Sequence, residues 1–162
     1  MSPSDASREP ALGARLGMEL AAWKALLNVL ADEERALVAG DADRLPQLNA
    51  SKLAQVQTLG NLVRARQDAL RAAGHAADHT GMAAWLAQHG NAEHRAHWQE
   101  LCGLEQEAQA MNQRIGTLIE MRLTATRQAL NVLVHAATNR TGLYDQAGQS
   151  VATPRGKPLT AA

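Results

Sequence analysis

Apolar residues recur along this chain in steps of three and four, the spacing that lines one face of an α-helix. Leu16, Leu20, Trp23, Leu27, Leu30, Glu34 and Leu37 set out the first such face. Leu45, Leu48, Lys52, Val56, Leu59, Val63, Arg66 and Leu70 set out the second. Gly40 and Gly74 are natural C-terminal stops, Asp41 or Asp43 can cap the second helix, and Pro46 is tolerated in its first turn. So short a connection forces an antiparallel hairpin. Placing Leu20 opposite Arg66 brings Trp23 to Val63, Leu27 to Leu59, Leu30 to Val56 and Glu34 to Lys52. The polar seam residues Glu34 and Lys52 then meet, and such a pair would fix register. The alternative is that both reach solvent independently.

Between Gly74 and Asn91 the pattern breaks. Gly81, Gly90 and three His interrupt it, and Thr80 can cap a short helix through Met82, Trp85 and Leu86. Trp85 is expected to plug the open end of the hairpin. Asn91 then caps a long helix that changes character along its length. Its first part carries Trp98, Leu101, Leu104, Ala108, Met111, Ile115 and Leu118 as one narrow stripe, the width needed to pack on its own core. Over residues 121–137 the apolar arc is about twice as wide. Leu123, Leu130, Leu133 and Val134 lie on one side of it, and Met121, Ala125, Ala129, Val132 and Ala136 on the other, with Ala137 completing the set. A face this broad has surface to spare for a partner. Capture of a partner helix and self-association as a coiled coil both fit it.

The expected architecture is all-α: an antiparallel hairpin plus a long helix in a coiled-coil-like bundle. The helices span about 11–39, 44–73, 81–89 and 92–138. Residues 1–10 are expected to be disordered and 139–162 to form a flexible tail, because neither carries a core-forming pattern.

Composition agrees. The chain of 162 residues has no Phe and one Tyr, which disfavours strands. Lys and Arg balance Asp and Glu, so nothing argues for nucleic acid or an anionic membrane. One Cys excludes an internal disulfide and fits a reducing cytosol. No apolar run approaches spanning length, and no secretory signal pattern opens the chain. A cytoplasmic location is therefore expected, without stable membrane insertion.

Candidate chemistry is sparse. His75 and His79 have i,i+4 spacing and His94 and His97 have i,i+3, either of which can share a metal. Turn formers interrupt the first pair and no further ligand completes a set, so these His are read as solvent-facing near helix starts and no metal or other cofactor is expected. There is no phosphate loop and no nucleophile elbow, which argues against an enzyme.

The order of features resembles a known family. Leu30 and Glu34-Arg35-Ala36-Leu37 lie on the first helix, and Leu45, Leu48 and Lys52 on the second, which stops at Gly74. Asn112-Gln113-Arg114-Ile115-Gly116 follow on the long helix, and Leu143-Tyr144-Asp145-Gln146-Ala147-Gly148 in the tail. Together they resemble the FlgN family of flagellar export chaperones over nearly the whole chain. Ile115 stands where the family tends to have a second Asn, and Asp145 where it has a Gly. The resemblance implies a cytosolic protein that holds hook–filament junction proteins and delivers them to the export gate of the flagellar type III apparatus. It implies client contact through the C-terminal half, where the broad apolar arc offers Met121, Leu123, Ala125, Ala129, Leu130, Val132, Leu133, Val134 and Ala137, and it implies gate contact through Leu143 and Tyr144. The alternative is a structural coiled-coil subunit that self-associates through the long helix. A delivery chaperone should pair with itself weakly or not at all.

Overall fold

The computed structural model describes residues 9–141, and side chains over residues 12–139. Most of the expected N-terminal disorder and C-terminal tail, Leu143 and Tyr144 included, lies outside the described residues, but Glu9 and Pro10 are helical and so are residues 139–141. Four α-helices make up the fold: α1 (Glu9–Ala39), α2 (Leu45–Ala72), α3 (His79–His89) and α4 (Ala92–Thr141). A 3-10 turn, Ala42–Arg44, leads into α2. Among the described residues there is no strand. The chain divides into two compact units, residues 1–119 and 120–162.

The helix ends follow from local chemistry. Gly40 and Gly74 take φ of 73° and 82°, the left-handed conformation that glycine adopts without a Cβ penalty. At the end of α1, Asp41 N–H donates to Ala36 C=O (2.9 Å) and Gly40 N–H to Leu37 C=O (3.3 Å). At the end of α2, His75 N–H donates to Leu70 C=O (2.9 Å) and Gly74 N–H to Arg71 C=O (3.0 Å). Both are Schellman closures. The starts differ from expectation in two places. Neither Asp41 nor Asp43 caps α2: its N-cap is Arg44, which makes no side-chain cap bond, and the 3-10 turn carries the chain in. Asp78, rather than Thr80, caps α3, because its side chain accepts from Gly81 N–H at 2.8 Å and lets the helix begin earlier. Asn91 caps α4 as expected, its side-chain oxygen accepting from His94 N–H at 2.7 Å.

In the 1–119 unit α1 buries two neighbouring stripes rather than one. Leu16, Leu20, Leu27, Leu30 and Leu37 are buried, and so are Leu12, Glu19, Leu26, Glu33 and Ala36. The reason is that α1 packs against residues of both α2 and α4. One apolar cluster joins Leu12, Leu16, Leu20, Leu70, Met82, Trp85, Leu86 and Leu101. The other joins Leu26, Leu27, Leu30, Leu37, Leu59, Ala108 and Ile115. Trp85 is fully buried against the start of α1 and the end of α2, the open end of the hairpin.

The second stripe of α1 corrects the hairpin register. Lys52 Nζ donates to both carboxylate oxygens of Glu33 at 2.8 Å, and Glu34 instead accepts from Arg114 Nε at 3.0 Å. Arg66 Nε and Nη2 donate to the two oxygens of Glu19, at 2.8 and 3.2 Å. Both cations of α2 therefore meet the residue one position earlier than a single-stripe alignment gives. The shift arises because the polar positions on the α2 side of α1 are Glu19 and Glu33, whereas Glu34 lies on the α4 side.

Candidate partner-binding surface

Residue by residue, α4 passes from a buried seam to an exposed one. Leu101, Ala108 and Ile115 are buried, and Trp98, Leu104, Met111 and Leu118 are half-buried. These are the residues that the narrow stripe assigns to the core. From 119 to 139 every residue is exposed. Leu130 retains 58% of its surface and Leu133 66%, against 1% for Leu101 and 2% for Ile115.

The change has a cause in the heptad spacing. The buried seam, Leu101, Leu104, Ala108, Met111, Ile115 and Leu118, continues in register onto Arg122, Ala125, Ala129, Val132 and Ala136. That continuation holds one charge and mostly small residues, which supply little apolar area. The large residues move to a neighbouring stripe, Ile119, Leu123, Thr126, Leu130, Leu133 and Ala137, with Val134 beside it. The exposed large residues thus follow a stripe offset by one heptad position from the spacing of the buried seam. Thr126 fits an apolar stripe because its hydroxyl donates to Arg122 C=O at 2.9 Å, so covering it strands no polar group. Leu123, Leu130, Leu133 and Val134 share this stripe, whereas Met121, Ala125, Ala129 and Val132 face the other way. A single partner helix covers one side of α4, so the structure gives the two sets different positions on the surface.

The 1–119 unit offers a second concavity. A groove of about 350 Å³ is lined by Trp23, Leu26, Leu30, Lys52, Val56 and Ala108, among others. Val56, assigned to the hairpin seam by its spacing, is exposed there instead. The groove has room for a side chain rather than a helix, and Lys52 within it is already held by Glu33.

The histidines form no ligand set: among the described residues, no three His, Cys, Asp or Glu side chains come together to hold a metal. His79 and His89 are exposed, as expected, but His94 and His97 depart from the solvent-facing reading. His94 and His97 are half-buried and pack on glycines of α1; a Cβ on Gly13 would lie 2.1 Å from His94 Nε2, and one on Gly17 would lie 3.9 Å from His97 Cε1. His94 also stacks near Trp85, with ring centroids 5.7 Å apart. His79 meets Trp98 edge-on at 5.0 Å, and the Arg66 guanidinium sits 4.9 Å from the Trp98 ring centre. The chain of contacts His79–Trp98–Arg66–Glu19 thereby links α3, α4, α2 and α1. Burial, and then the charge of Glu105, push the Cys102 thiol above its usual range, which keeps it protonated and weakly nucleophilic.

Two buried residues that pair α1 with α2, Glu19 and Glu33, escape the single-stripe alignment. Their signal is present in the sequence: they stand two heptads apart, as do Lys52 and Arg66, so that antiparallel packing can match both pairs at once.

No described helix is long and apolar enough to cross a membrane. A family model described as FlgN protein matches residues 10–152. Comparison with curated proteins and with solved structures finds no match.

Proposed function

We propose that this chain, which belongs to the FlgN family of flagellar export chaperones, binds a hook–filament junction protein in the cytosol and passes it to the export gate. The observation that carries the reading is the stripe of Leu123, Leu130, Leu133 and Val134, exposed on α4 and offset by one heptad position from the spacing of the buried seam. Ala137 completes that stripe, whereas Met121, Ala125, Ala129 and Val132 lie on the other side of α4 and are reached only by a further segment of the client. A helix of the client lies along the stripe, with apolar side chains at i, i+3, i+4 and i+7. An isolated helical segment is marginal in water, so a partner that covers it also stabilises it. Leu143 and Tyr144 take the part of gate contacts by family resemblance.

The test uses the full chain with Leu130→Asp or Leu133→Asp, titrated with purified hook–filament junction protein. Far-UV circular dichroism and melting temperature should stay nearly unchanged while binding is lost. Unfolding of either variant would place the stripe in the core and sink the reading. The same exposed stripe also permits permanent self-association, the coiled-coil subunit reading. Sedimentation of the isolated protein separates the two: a tight dimer that Leu130→Asp dissociates would favour the subunit.

A further inference from the structure

The groove of the 1–119 unit combines three kinds of surface. Leu26 and Leu30 of α1, Val56 of α2 and Ala108 of α4 make it apolar. Glu105, Gln109 and Asn112 follow one another in steps of four and three along α4, so a carboxylate and two side-chain amides share one wall. Trp23 adds an indole ring.

Charge decides which occupant suits such a lining. Lys52 is its cation, and both oxygens of Glu33 hold the Lys52 ammonium at 2.8 Å. That pair cancels, which leaves Glu105 as the charge the groove presents. The nearest cation to it is conditional: His79 Nε2 lies 3.9 Å away and answers the carboxylate only when protonated. The amides of Gln109 and Asn112 are exposed and can turn their oxygens toward a donor.

An acidic side chain entering here would meet the like charge of Glu105. A wholly aliphatic one would strip water from that carboxylate without pairing it. Arginine meets both demands, because its methylene stem lies on apolar surface while its guanidinium carries five diverging N–H donors. Guanidinium groups also stack on indole rings. The protein already packs one in this manner. Arg66 lies 4.9 Å from the centre of the Trp98 ring and donates to both oxygens of Glu19.

We infer that the groove receives a single arginine side chain presented by a partner protein. Glu105 pairs with the guanidinium, Gln109 and Asn112 accept further N–H bonds, and Trp23 stacks against it. This site is independent of the docking stripe, all of whose residues lie beyond position 119.

Four blocked tripeptides test it, acetyl-alanyl-X-alanine amides in which X is arginine, citrulline, norleucine or glutamate. Citrulline keeps the shape of arginine without its charge. Each is titrated into the isotope-labelled full-length protein at about pH 8, where histidine side chains carry little charge. Binding is read from the side-chain amide resonances of Gln109 and Asn112 and the indole N–H of Trp23. The arginine peptide should bind with a Kd of about 1 mM, roughly fivefold more tightly than citrulline or norleucine, with glutamate weakest. Glu105→Gln should bring arginine and citrulline to equal affinity with helicity unchanged. Glu107→Gln removes the same charge from the same helix outside the groove, and should leave the preference intact. Leu130→Asp should alter none of these affinities, so the site and the docking stripe fail separately. Equal affinity for arginine and citrulline, tighter binding of norleucine or glutamate, or no shift from any peptide at about 10 mM would overturn the site. Loss of the preference in Glu107→Gln as well would overturn the pairing with Glu105.

Discussion

Through residues 98–118, α4 sends a seam residue into or against the core at each turn, whereas from 119 to 139 every side chain is exposed although large apolar residues remain frequent. Amphipathicity does not separate these two stretches, since both carry stripes at helical spacing. Register does. The internal seam runs onto Arg122, Ala125 and Ala129 and loses its bulk, while the large residues reappear one position over, at Ile119, Leu123 and Leu130. A helix serving one core keeps one stripe.

The comparison breaks most readily at the buried ion pair of the first stretch. Glu19 is 1% exposed and Arg66 7%, and Trp98 covers the guanidinium. Glu19→Ala leaves an uncompensated cation inside the bundle and should cost about 3–5 kcal/mol in urea unfolding. The double replacement Glu19→Leu, Arg66→Met should recover most of that, because an apolar pair of similar volume removes two desolvation penalties. Leu130→Asp on the second stretch should change unfolding by no more than about 0.5 kcal/mol. Similar losses for Glu19→Ala and Leu130→Asp would erase the distinction between the two stretches.

Glycine substitutions probe the packed stretch and its neighbours alone, with smaller effects. Gly13→Ala drives a methyl into the His94 ring, itself held near Trp85, and should cost about 1–3 kcal/mol. On α4, a Cβ at Gly116 meets nothing within 4 Å, so Gly116→Ala should stabilise by about 0.4–1 kcal/mol through the unfolded chain. Thermal melts of the two variants should therefore shift in opposite directions.

Much of this was legible in the sequence. Helix existence, the stops at Gly40 and Gly74, the cap at Asn91 and the buried part of α4 follow from periodicity and turn chemistry, which are local. Less legible was how many neighbours each helix has. A heptad list gives α1 one face, but α1 touches α2 and α4, so Glu19 and Glu33 are drawn into a second stripe and Val56 is left on the rim of a groove. His94 and His97 read as solvent-facing because the glycines that receive them lie some eighty residues away. Such packing across distant segments leaves no local trace. Along residues 119–139, by contrast, the exposed stripe was readable because it depends on a single helix.

The register itself provides the finest test. Lys52 is held by Glu33, whose carboxylate is buried, while Glu34 reaches Arg114 at a more exposed site. A double-mutant cycle on Glu33 and Lys52 should show coupling of about 1.5 kcal/mol, as expected for a charge-assisted hydrogen bond with limited solvent access. The cycle on Glu34 and Lys52 should show none beyond error. Glu34→Ala alone should cost under about 1 kcal/mol, the range of exposed pairs, and less at high salt. The two glutamates are chain neighbours of identical chemistry, so composition and net charge change equally in both cycles. Coupling through Glu34 instead of Glu33 would return the hairpin to the single-stripe alignment and turn the second face of α1 away from α2.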